Sequence, residues 1–284
     1  MSYTRLLRWV VAAILCPILS PAWSAQPYYL ALGDSLAKGE QWSPTGEVYY
    51  QGYAEDLAPA INMRLENLGC GGETSATMVN GGLCTYAGYP SQLAAAEAFV
   101  RQNAGNIGLV TIDIGADDYS SCLQINLDFA TCLVGKTTQV VADLQTILSG
   151  LRAAGGSALH IVAVNYYDPY LAYWLQGATG QLEASATLTA ITAFNVAEAA
   201  QYALNGVFVA DVATAFQSLN VVPTSYADRQ VPTNVAVICR DTWMCTHGNI
   251  HANTTGYQLI ASTIRGLLKG IGWADSTSPE SATS

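Results

Sequence analysis

Short apolar segments alternate with helical segments along most of this chain, and the alternation limits the folds that it can adopt. Segments rich in β-branched or aromatic residues occupy residues 28–32, 63–68, 107–114, 159–164 and 207–212. Helical patterns occupy residues 53–61, 91–102, 138–153 and 182–204 between them. Strands that alternate with helices form βαβ units, in which helices cover both faces of a parallel sheet. The sequence therefore predicts an α/β fold with three layers, α/β/α, and a five-stranded parallel sheet.

The composition agrees with one globular domain over residues 26–273. Apolar residues make up 51% of the 284 residues and charged residues 11%, which excludes a disordered, collagen-like or coiled-coil chain. Residues 274–284 are polar and are expected to form a disordered tail. Function in a parallel sheet lies at the carboxyl ends of its strands, so the residues that follow each apolar segment are the candidates for a site.

The first 25 residues have the pattern of a signal peptide. Arg5 and Arg8 precede the uncharged residues 9–19, and small residues suited to a signal peptidase follow. The uncharged segment is shorter than the roughly 20 residues of a membrane span, and Pro17 interrupts it. We therefore expect a secreted protein, extracellular or periplasmic, with no permanent membrane anchor.

The charge of the chain argues against polyanionic partners. Lys and Arg number 11 against 21 Asp and Glu, and two of these cations, Arg5 and Arg8, lie in the leader. The exported chain would be strongly acidic, and such a surface repels nucleic acid phosphates and anionic membranes. We expect no nucleic acid partner, and we expect a monomer.

The cysteines favour disulfides. Six remain if Cys16 leaves with the leader, and an even count in an exported chain is typical of disulfide pairing. Three local couples are predicted, each closing a short loop at the same edge of the sheet: Cys70 with Cys84, Cys122 with Cys132, and Cys239 with Cys245. A metal site is the alternative, because the last couple lies near His247 and His251. An oxidising compartment and the lack of a Cys-x-x-Cys pair favour the disulfides, so we expect no metal and no cofactor.

The strongest motif is Gly33-Asp34-Ser35-Leu36, directly after the first predicted strand. A hydroxyl there would be presented at the carboxyl edge of the sheet, near the N-terminus of a helix. With this motif the chain resembles the GDSL esterases and lipases, or SGNH hydrolases, over essentially the whole length that follows the leader. The resemblance implies a flavodoxin-like fold, hydrolysis of carboxylic esters and a nucleophile at Ser35.

Two further segments resemble the blocks that form the oxyanion hole in that family. The segment Asn67-Leu68-Gly69-Cys70-Gly71-Gly72-Glu73-Thr74 places Gly72 where the family has an N–H that faces the oxyanion, and Gly71 where serine is frequent. The segment Gly115-Ala116-Asp117-Asp118 matches Gly-x-Asn-Asp, with aspartate in place of the asparagine. The expected oxyanion hole therefore comprises Ser35, Gly72 and Asp117.

Asp117 is a departure with chemical consequences. An ionised carboxylate has no proton to donate and would repel a developing oxyanion, and the loss of one such donor typically slows a reaction about 10²–10³-fold. A protonated Asp117 would still donate, if burial and Asp118 raise its pKa. Both states remain open at this point.

The last block, residues 249–257, resembles Asp-x-His-x-Asn-x-x-Gly-Tyr and makes His251 the general base. It precedes a final predicted helix over residues 254–269, whose positive end keeps the resting imidazole neutral. His247 is an alternative base that lacks this context. An acid that would orient the histidine is not evident, and three residues are candidates for that role: Asn249, Gly248 and Asp241.

Together the motifs imply acyl transfer through a serine ester, in which His251 takes the proton of Ser35 and water releases the acid. The substrate would be a small ester of the lipid, short-chain acyl or O-acetyl type. Aromatic residues after the fourth predicted strand either line a pocket or pack in the core: Tyr166, Tyr167, Tyr170, Tyr173 and Trp174. The alternative function is a non-catalytic ligand-binding protein on the same fold, disabled by Asp117 and Asn249.

Overall fold

The computed structural model describes residues 26–43, 45, 49–123 and 129–273. The predicted signal peptide, residues 1–25, and the predicted tail, residues 274–284, lie outside the described residues. Within the described ranges, no helix combines the length and the apolar character that a membrane crossing requires.

Strands and helices follow one another in the alternating order that the sequence predicts. The strands are β1 (Tyr28–Gly33), β2 (Glu40–Gln41), β3 (Tyr49–Tyr50), β4 (Arg64–Asn67), β5 (Ile107–Asp113), β6 (Ile161–Val164), β7 (Phe208–Ala210), β8 (Pro223–Tyr226) and β9 (Arg229–Pro232). The helices are α1 (Ser35–Lys38), α2 (Tyr53–Ala60), α3 (Ser75–Asn80), α4 (Gln92–Gln102), α5 (Ala116–Leu123), α6 (Phe129–Gly155), α7 (Ala178–Leu204), α8 (Val212–Ala215), α9 (Thr233–Asp241), α10 (Met244–His247) and α11 (Thr254–Gly270). A 3₁₀ helix, Pro169–Gln176, lies between β6 and α7.

Five strands form one parallel sheet in the order β4-β1-β5-β6-β7. This is the order of flavodoxin-like folds, and it confirms the predicted five-stranded parallel sheet. Because β1 lies between β4 and β5, the loops that follow these three strands meet at the carboxyl edge. The order of the strands also reverses direction there, and such switch points are where open α/β sheets bind ligands.

Burial on both faces explains why the strands appear in the sequence as apolar segments. In β5 every residue from Leu109 to Asp113 is buried, and all four residues of β6 are buried. Helices cover the sheet, with α2 packed against α11 and α4 packed against α6. Continuous burial of this kind is typical of a parallel sheet between two helical layers.

The elements that the sequence does not predict are short or lack a clear period. Helices α1, α3 and α8 have four to six residues each, too few to establish a helical period. Residues 213–248, whose sequence lacks a clear apolar period, contain the antiparallel hairpin of β8 and β9 and the helices α9 and α10. The helix predicted over residues 138–153 is longer in the structure, where α6 spans Phe129–Gly155.

Three disulfides are present in the structure, with the pairing that the sequence favours: Cys70 with Cys84, Cys122 with Cys132, and Cys239 with Cys245. The last of them joins α9 to α10 in the segment before His251. Because Cys239 and Cys245 are bonded to each other, neither presents a thiolate to a metal ion.

A pair of leucines on long helices tests this description of the core. Leu148 on α6 is fully buried, whereas Leu204 at the end of α7 is 81% exposed. We expect Leu148→Ala to lower the free energy of unfolding by about 2–5 kcal/mol, because it removes buried apolar surface and leaves a cavity. The control Leu204→Ala should change it by less than about 0.5 kcal/mol. Urea denaturation of the oxidised protein measures both values, and equal effects would contradict the assigned packing.

Candidate active site

Ser35 begins helix α1 directly after β1 and is only 7% exposed. Asp34 caps this helix, since its carboxylate accepts a hydrogen bond from the N–H of Leu36 at 2.9 Å. The turn requires glycine at Gly33, whose φ is 138° and where a Cβ would overlap the carbonyl oxygen of Asp113. Strand, cap and turn thus hold Ser35 at the carboxyl edge of the sheet.

A buried glutamine fixes both backbone polar groups of Gly33. Oε1 of Gln92 accepts from the N–H of Gly33 at 2.7 Å, and Nε2 donates to the carbonyl oxygen of Gly33 at 2.9 Å. The same Nε2 lies 3.2 Å from Oε2 of Glu73. The sequence does not single out Gln92, because a glutamine in the first turn of a helix has no mark that distinguishes it from an exposed one.

Asp34 and Asp113 form a buried carboxyl pair beside the nucleophile turn. Their side chains share a hydrogen bond; burial raises the pKa of Asp113 to about 7, and burial together with the charge of Asp113 raises the pKa of Asp34 well above its usual range. Tyr166 donates to Asp34 at 2.8 Å, Tyr53 donates to Asp113, and the N–H of Ala37 donates to Asp113 at 3.1 Å. The pair therefore retains a proton near neutral pH and ties α1 to β5.

The two loops that resemble oxyanion blocks lie on either side of the nucleophile turn. The loop after β4 is attached to that turn, because the N–H of Cys70 donates to the carbonyl oxygen of Gly33 at 3.1 Å. Within this loop Gly72 has a φ of 77°, a left-handed conformation that glycine adopts without strain. After β5, Asp117 lies in the first turn of α5 and lines the same pocket as Ser35.

The surroundings of Asp117 favour its neutral form. Burial, together with the nearby carboxyl groups of Asp34, Asp118, Glu40 and Glu73, raises the pKa of this carboxyl to about 7. A neutral carboxyl has a proton to donate, as the amide of asparagine does. At acidic pH, residue 117 is therefore still a hydrogen-bond donor despite the change from asparagine.

His251 precedes α11 and lines the pocket of Ser35. Oδ1 of Asn249 accepts from the backbone N–H of His251 at 3.0 Å and lies 2.8 Å from Nδ1 of the ring. Because this oxygen is an acceptor, Nδ1 has the proton and Nε2 is the basic nitrogen. Burial lowers the pKa of His251 to about 4, so the resting imidazole is neutral.

The other candidates for the base or for its orienting group do not contact the imidazole of His251 through a side-chain hydrogen bond in the described structure. Asp241 is buried and accepts from Arg240, whose Nε and Nη2 lie 2.7 and 2.6 Å from its oxygens. Gly248 ends α10 in a left-handed conformation with φ of 65°. His247 is stacked on Trp42, with the ring centroids 3.4 Å apart. Of the three orienting candidates, Asn249 is thus the residue whose side chain meets the imidazole of His251.

The pocket that contains Ser35, Asp117 and His251 is otherwise mostly apolar and encloses about 900 Å³, including its open mouth. Among the aromatic residues that the sequence offers, the lining includes Tyr166, Tyr167 and Tyr170. Tyr173 instead contacts the ring of Tyr170, and Trp174 packs against the core. Helices α6 and α7 contribute apolar side chains to the lining: Leu133, Ala190, Ile191 and Phe194.

Glu40 also reaches this site, although no motif in the sequence marks it. It lies in β2, two residues after the end of α1, and its Oε2 is 3.7 Å from Nε2 of His251. Neither the residue type of Glu40 nor its separation in sequence from His251 predicts this contact. The contact depends on the left-handed turn at Gly39.

The fold, the serine after β1 and the histidine before α11 are typical of ester hydrolases. The model of the GDSL-like lipase/acylhydrolase family matches residues 31–259, and the chain belongs to this family. It is thus a hydrolase that acts on ester bonds. Comparison with curated protein sequences gave no match.

Solved structures agree with the fold. A phospholipase A1 from Streptomyces albidoflavus NA297 is 18% identical, with 76% of this chain and 99% of that chain covered and a TM-score of 0.50. A variant of an acetyl xylan esterase from Geobacillus stearothermophilus is 13% identical, with 87% and 95% covered and a TM-score of 0.50. A lipolytic G-D-S-L family protein from Veillonella parvula is 16% identical, with 85% and 98% covered and a TM-score of 0.50. At these identities the likeness is one of fold.

The environment of His251 leads to a testable prediction about its protonation. We expect its imidazole to remain neutral at pH 5.5 and to take up a proton only near pH 4, because burial lowers the pKa of this side chain to about 4. An NMR titration of the imidazole signals measures this value, with His251→Gln as the control that assigns the resonance. Titration of His251 near pH 6.5 in the folded protein would contradict the burial of this side chain.

Proposed function

We propose that the protein is a secreted serine esterase that hydrolyses small carboxylic esters through an acyl-enzyme on Ser35, with His251 as the general base. The observation that supports this most directly is that Ser35, Asp117 and His251 line one pocket at the switch point of the sheet. The family match supplies the class of reaction, and these residues supply the chemistry.

The proposed reaction begins with a proton transfer. Nε2 of His251 takes the proton of Ser35, whose oxygen attacks the ester carbonyl, while Nδ1–H remains bonded to Asn249. The N–H groups of Ser35 and Gly72 and a protonated Asp117 donate to the oxyanion. His251 then gives its proton to the leaving alcohol, and a water activated in the same way releases the acid. Apart from the ester and this water, each group in these steps is a side chain or a backbone N–H of the chain.

The lining of the pocket supports an apolar acyl group. Apart from the catalytic candidates, its walls are built mainly from aliphatic and aromatic side chains of the segment after β6 and of α6 and α7. Burial of an acyl chain against such walls contributes roughly 0.8 kcal/mol for each methylene group. We therefore expect acyl esters with several carbons to be better substrates than acetate esters.

The cysteines support the proposal that the protein is exported. All six that follow the proposed signal peptide over residues 1–25 are paired in disulfides, and such bonds persist in extracellular or periplasmic compartments. The hydrolase domain is proposed to span residues 26–273 and to act as a monomer. The acidic charge of the chain supports the expectation that nucleic acids are not its partners.

The nucleophile is tested by Ser35→Ala. We expect kcat/KM for p-nitrophenyl butyrate to fall by at least about 10⁴-fold, because the proposed acyl-enzyme forms on the hydroxyl that this change removes. The matched control is Ser262→Ala on the exposed side of α11, which should retain wild-type rates. Turnover by Ser35→Ala at the wild-type rate would rule out this nucleophile. A folded wild-type protein that binds the acetate, butyrate and octanoate esters without turnover would favour the ligand-binding alternative.

The protonation of Asp117 predicts how the activity depends on pH. Its pKa is raised to about 7, and its protonated form is the donor, so the oxyanion hole is complete below pH 7 and loses a donor above it. His251, with its pKa lowered to about 4, is basic above pH 4. We expect kcat/KM to be highest between these values and to fall by about 10²–10³-fold at alkaline pH.

The variant Asp117→Asn separates this loss from general effects of alkaline pH. Its amide donates at every pH, so its rate should stay high above pH 7 while the wild-type rate falls. The measurement is kcat/KM of both proteins for p-nitrophenyl butyrate as a function of pH, after the rate of uncatalysed hydrolysis has been subtracted. Identical profiles above pH 7 would show that Asp117 has no part in stabilising the oxyanion.

A further inference from the structure

We propose that Glu40 is a positioning residue that acts through His251, because its carboxylate stabilises and orients the imidazolium that forms when Ser35 loses its proton. This inference rests on the function proposed above. It assigns to Glu40 the negative charge that the sequence lacks at Asn249, where an acid is frequent in the family. The two groups act from different sides, because Asn249 contacts Nδ1 and Glu40 faces Nε2.

The backbone of Glu40 is held in place on two sides. The hydroxyl of Tyr257 donates to the carbonyl oxygen of Glu40 at 2.9 Å, and Glu40 pairs with Tyr50 in the short hairpin of β2 and β3. The turn at Gly39 connects this position directly to the nucleophile helix α1. The carboxylate therefore reaches His251 from the strand that directly follows the helix of Ser35.

The glycine at position 71 indicates that space for this carboxylate is built into the site. Unlike Gly72, Gly71 does not have a positive φ, so its conformation is open to other residues. A Cβ at position 71 would overlap Oε1 of Glu40. Any side chain there, including the serine that is frequent in the family, would displace the end of Glu40. The absence of a side chain at 71 and the presence of Glu40 beside His251 are thus one coupled feature.

The charges around the imidazole define what Glu40 contributes. Lys38 on α1 acts on Glu40, Asp34 after β1 and Asp117 on α5 line the pocket, and Asn249 is neutral. Asp34 retains a proton within its buried pair, and Asp117 is neutral below pH 7. Oε2 of Glu40 lies 3.7 Å from Nε2; burial raises the pKa of this carboxyl, and the charge of Lys38 lowers it. In the proposed step the carboxylate faces the imidazolium while the Ser35 proton moves to Nε2 and on to the leaving alcohol.

The direct test is Glu40→Gln, which keeps the shape of the side chain and removes its negative charge. We expect kcat for p-nitrophenyl butyrate at pH 6 to fall about tenfold with KM changed less than twofold, because the imidazolium forms only after the substrate is bound. The acid limb of kcat/KM should move to lower pH, because a neutral neighbour no longer favours protonation of His251. Glu183→Gln on the exposed surface of α7 is the matched control and should match the wild type in both measurements.

A mutant cycle with Gly71 tests the coupling without relying on one variant. We expect Gly71→Ala to lower kcat as Glu40→Gln does, because the added methyl group moves the carboxylate away from His251. In a Glu40→Ala background the methyl group has room, so Gly71→Ala should cause no further loss. Additive losses, or a Glu40→Gln enzyme with wild-type kcat and acid limb, would overturn the proposal. Ser35→Ala, measured in parallel, identifies the separate case in which the proposed function itself fails.

Discussion

The close contact between the ends of β1 and β5 is the constraint on which the site depends. Gly33 lies directly against the backbone of Asp113, and the N–H of Asp34 donates to the carbonyl oxygen of Asp113 at 3.1 Å. Only glycine fits there, because any Cβ would overlap that oxygen. The contact brings two buried carboxyl groups together, which is unfavourable unless they share a proton and are otherwise hydrogen bonded. Tyr53 and Tyr166 supply such hydrogen bonds from different layers of the fold.

The contact between β1 and β5 also helps to position the two segments that resemble the family's oxyanion blocks. The carbonyl oxygen of Gly33 accepts from Cys70 and from Gln92, so the loop after β4 and the start of α4 are attached to the same turn as Ser35. The segment after β5 is continuous with Asp113 and leads to Asp117, four residues later, in the first turn of α5. Strand order alone makes these segments neighbours, and the hydrogen bond from Cys70 to Gly33 fixes the loop after β4 against the turn of Ser35.

The sequence predicts those features of the fold and the site that have a recognisable pattern over a few neighbouring residues. Apolar segments that alternate with helical segments predict the sheet. Short motifs predict Ser35, Gly72 and His251 as candidate site residues, because each lies in a recognisable local sequence pattern. Gln92, Asp113 and Glu40 have no such pattern. Their importance comes from contacts with residues far away in sequence; Gly33 and Gln92, for example, are 59 positions apart. A glutamine or glutamate looks the same in the sequence whether it faces water or a buried turn, so only the tertiary structure identifies it.

In the proposed mechanism, three residues that depart from the family pattern share a physical explanation: Gly71, Asp117 and Asn249. Burial, and repulsion from the carboxyl groups near it, favour the protonated form of Asp117. A protonated acid replaces the donor that the asparagine would supply. A neutral Asn249 keeps the tautomer of His251, while the space at Gly71 admits the carboxylate of Glu40 to the other nitrogen. In the proposed mechanism a protonated Asp117 completes the oxyanion hole below pH 7, and His251, with its pKa lowered to about 4, is a neutral base above pH 4. On that mechanism the departures do not require a loss of activity.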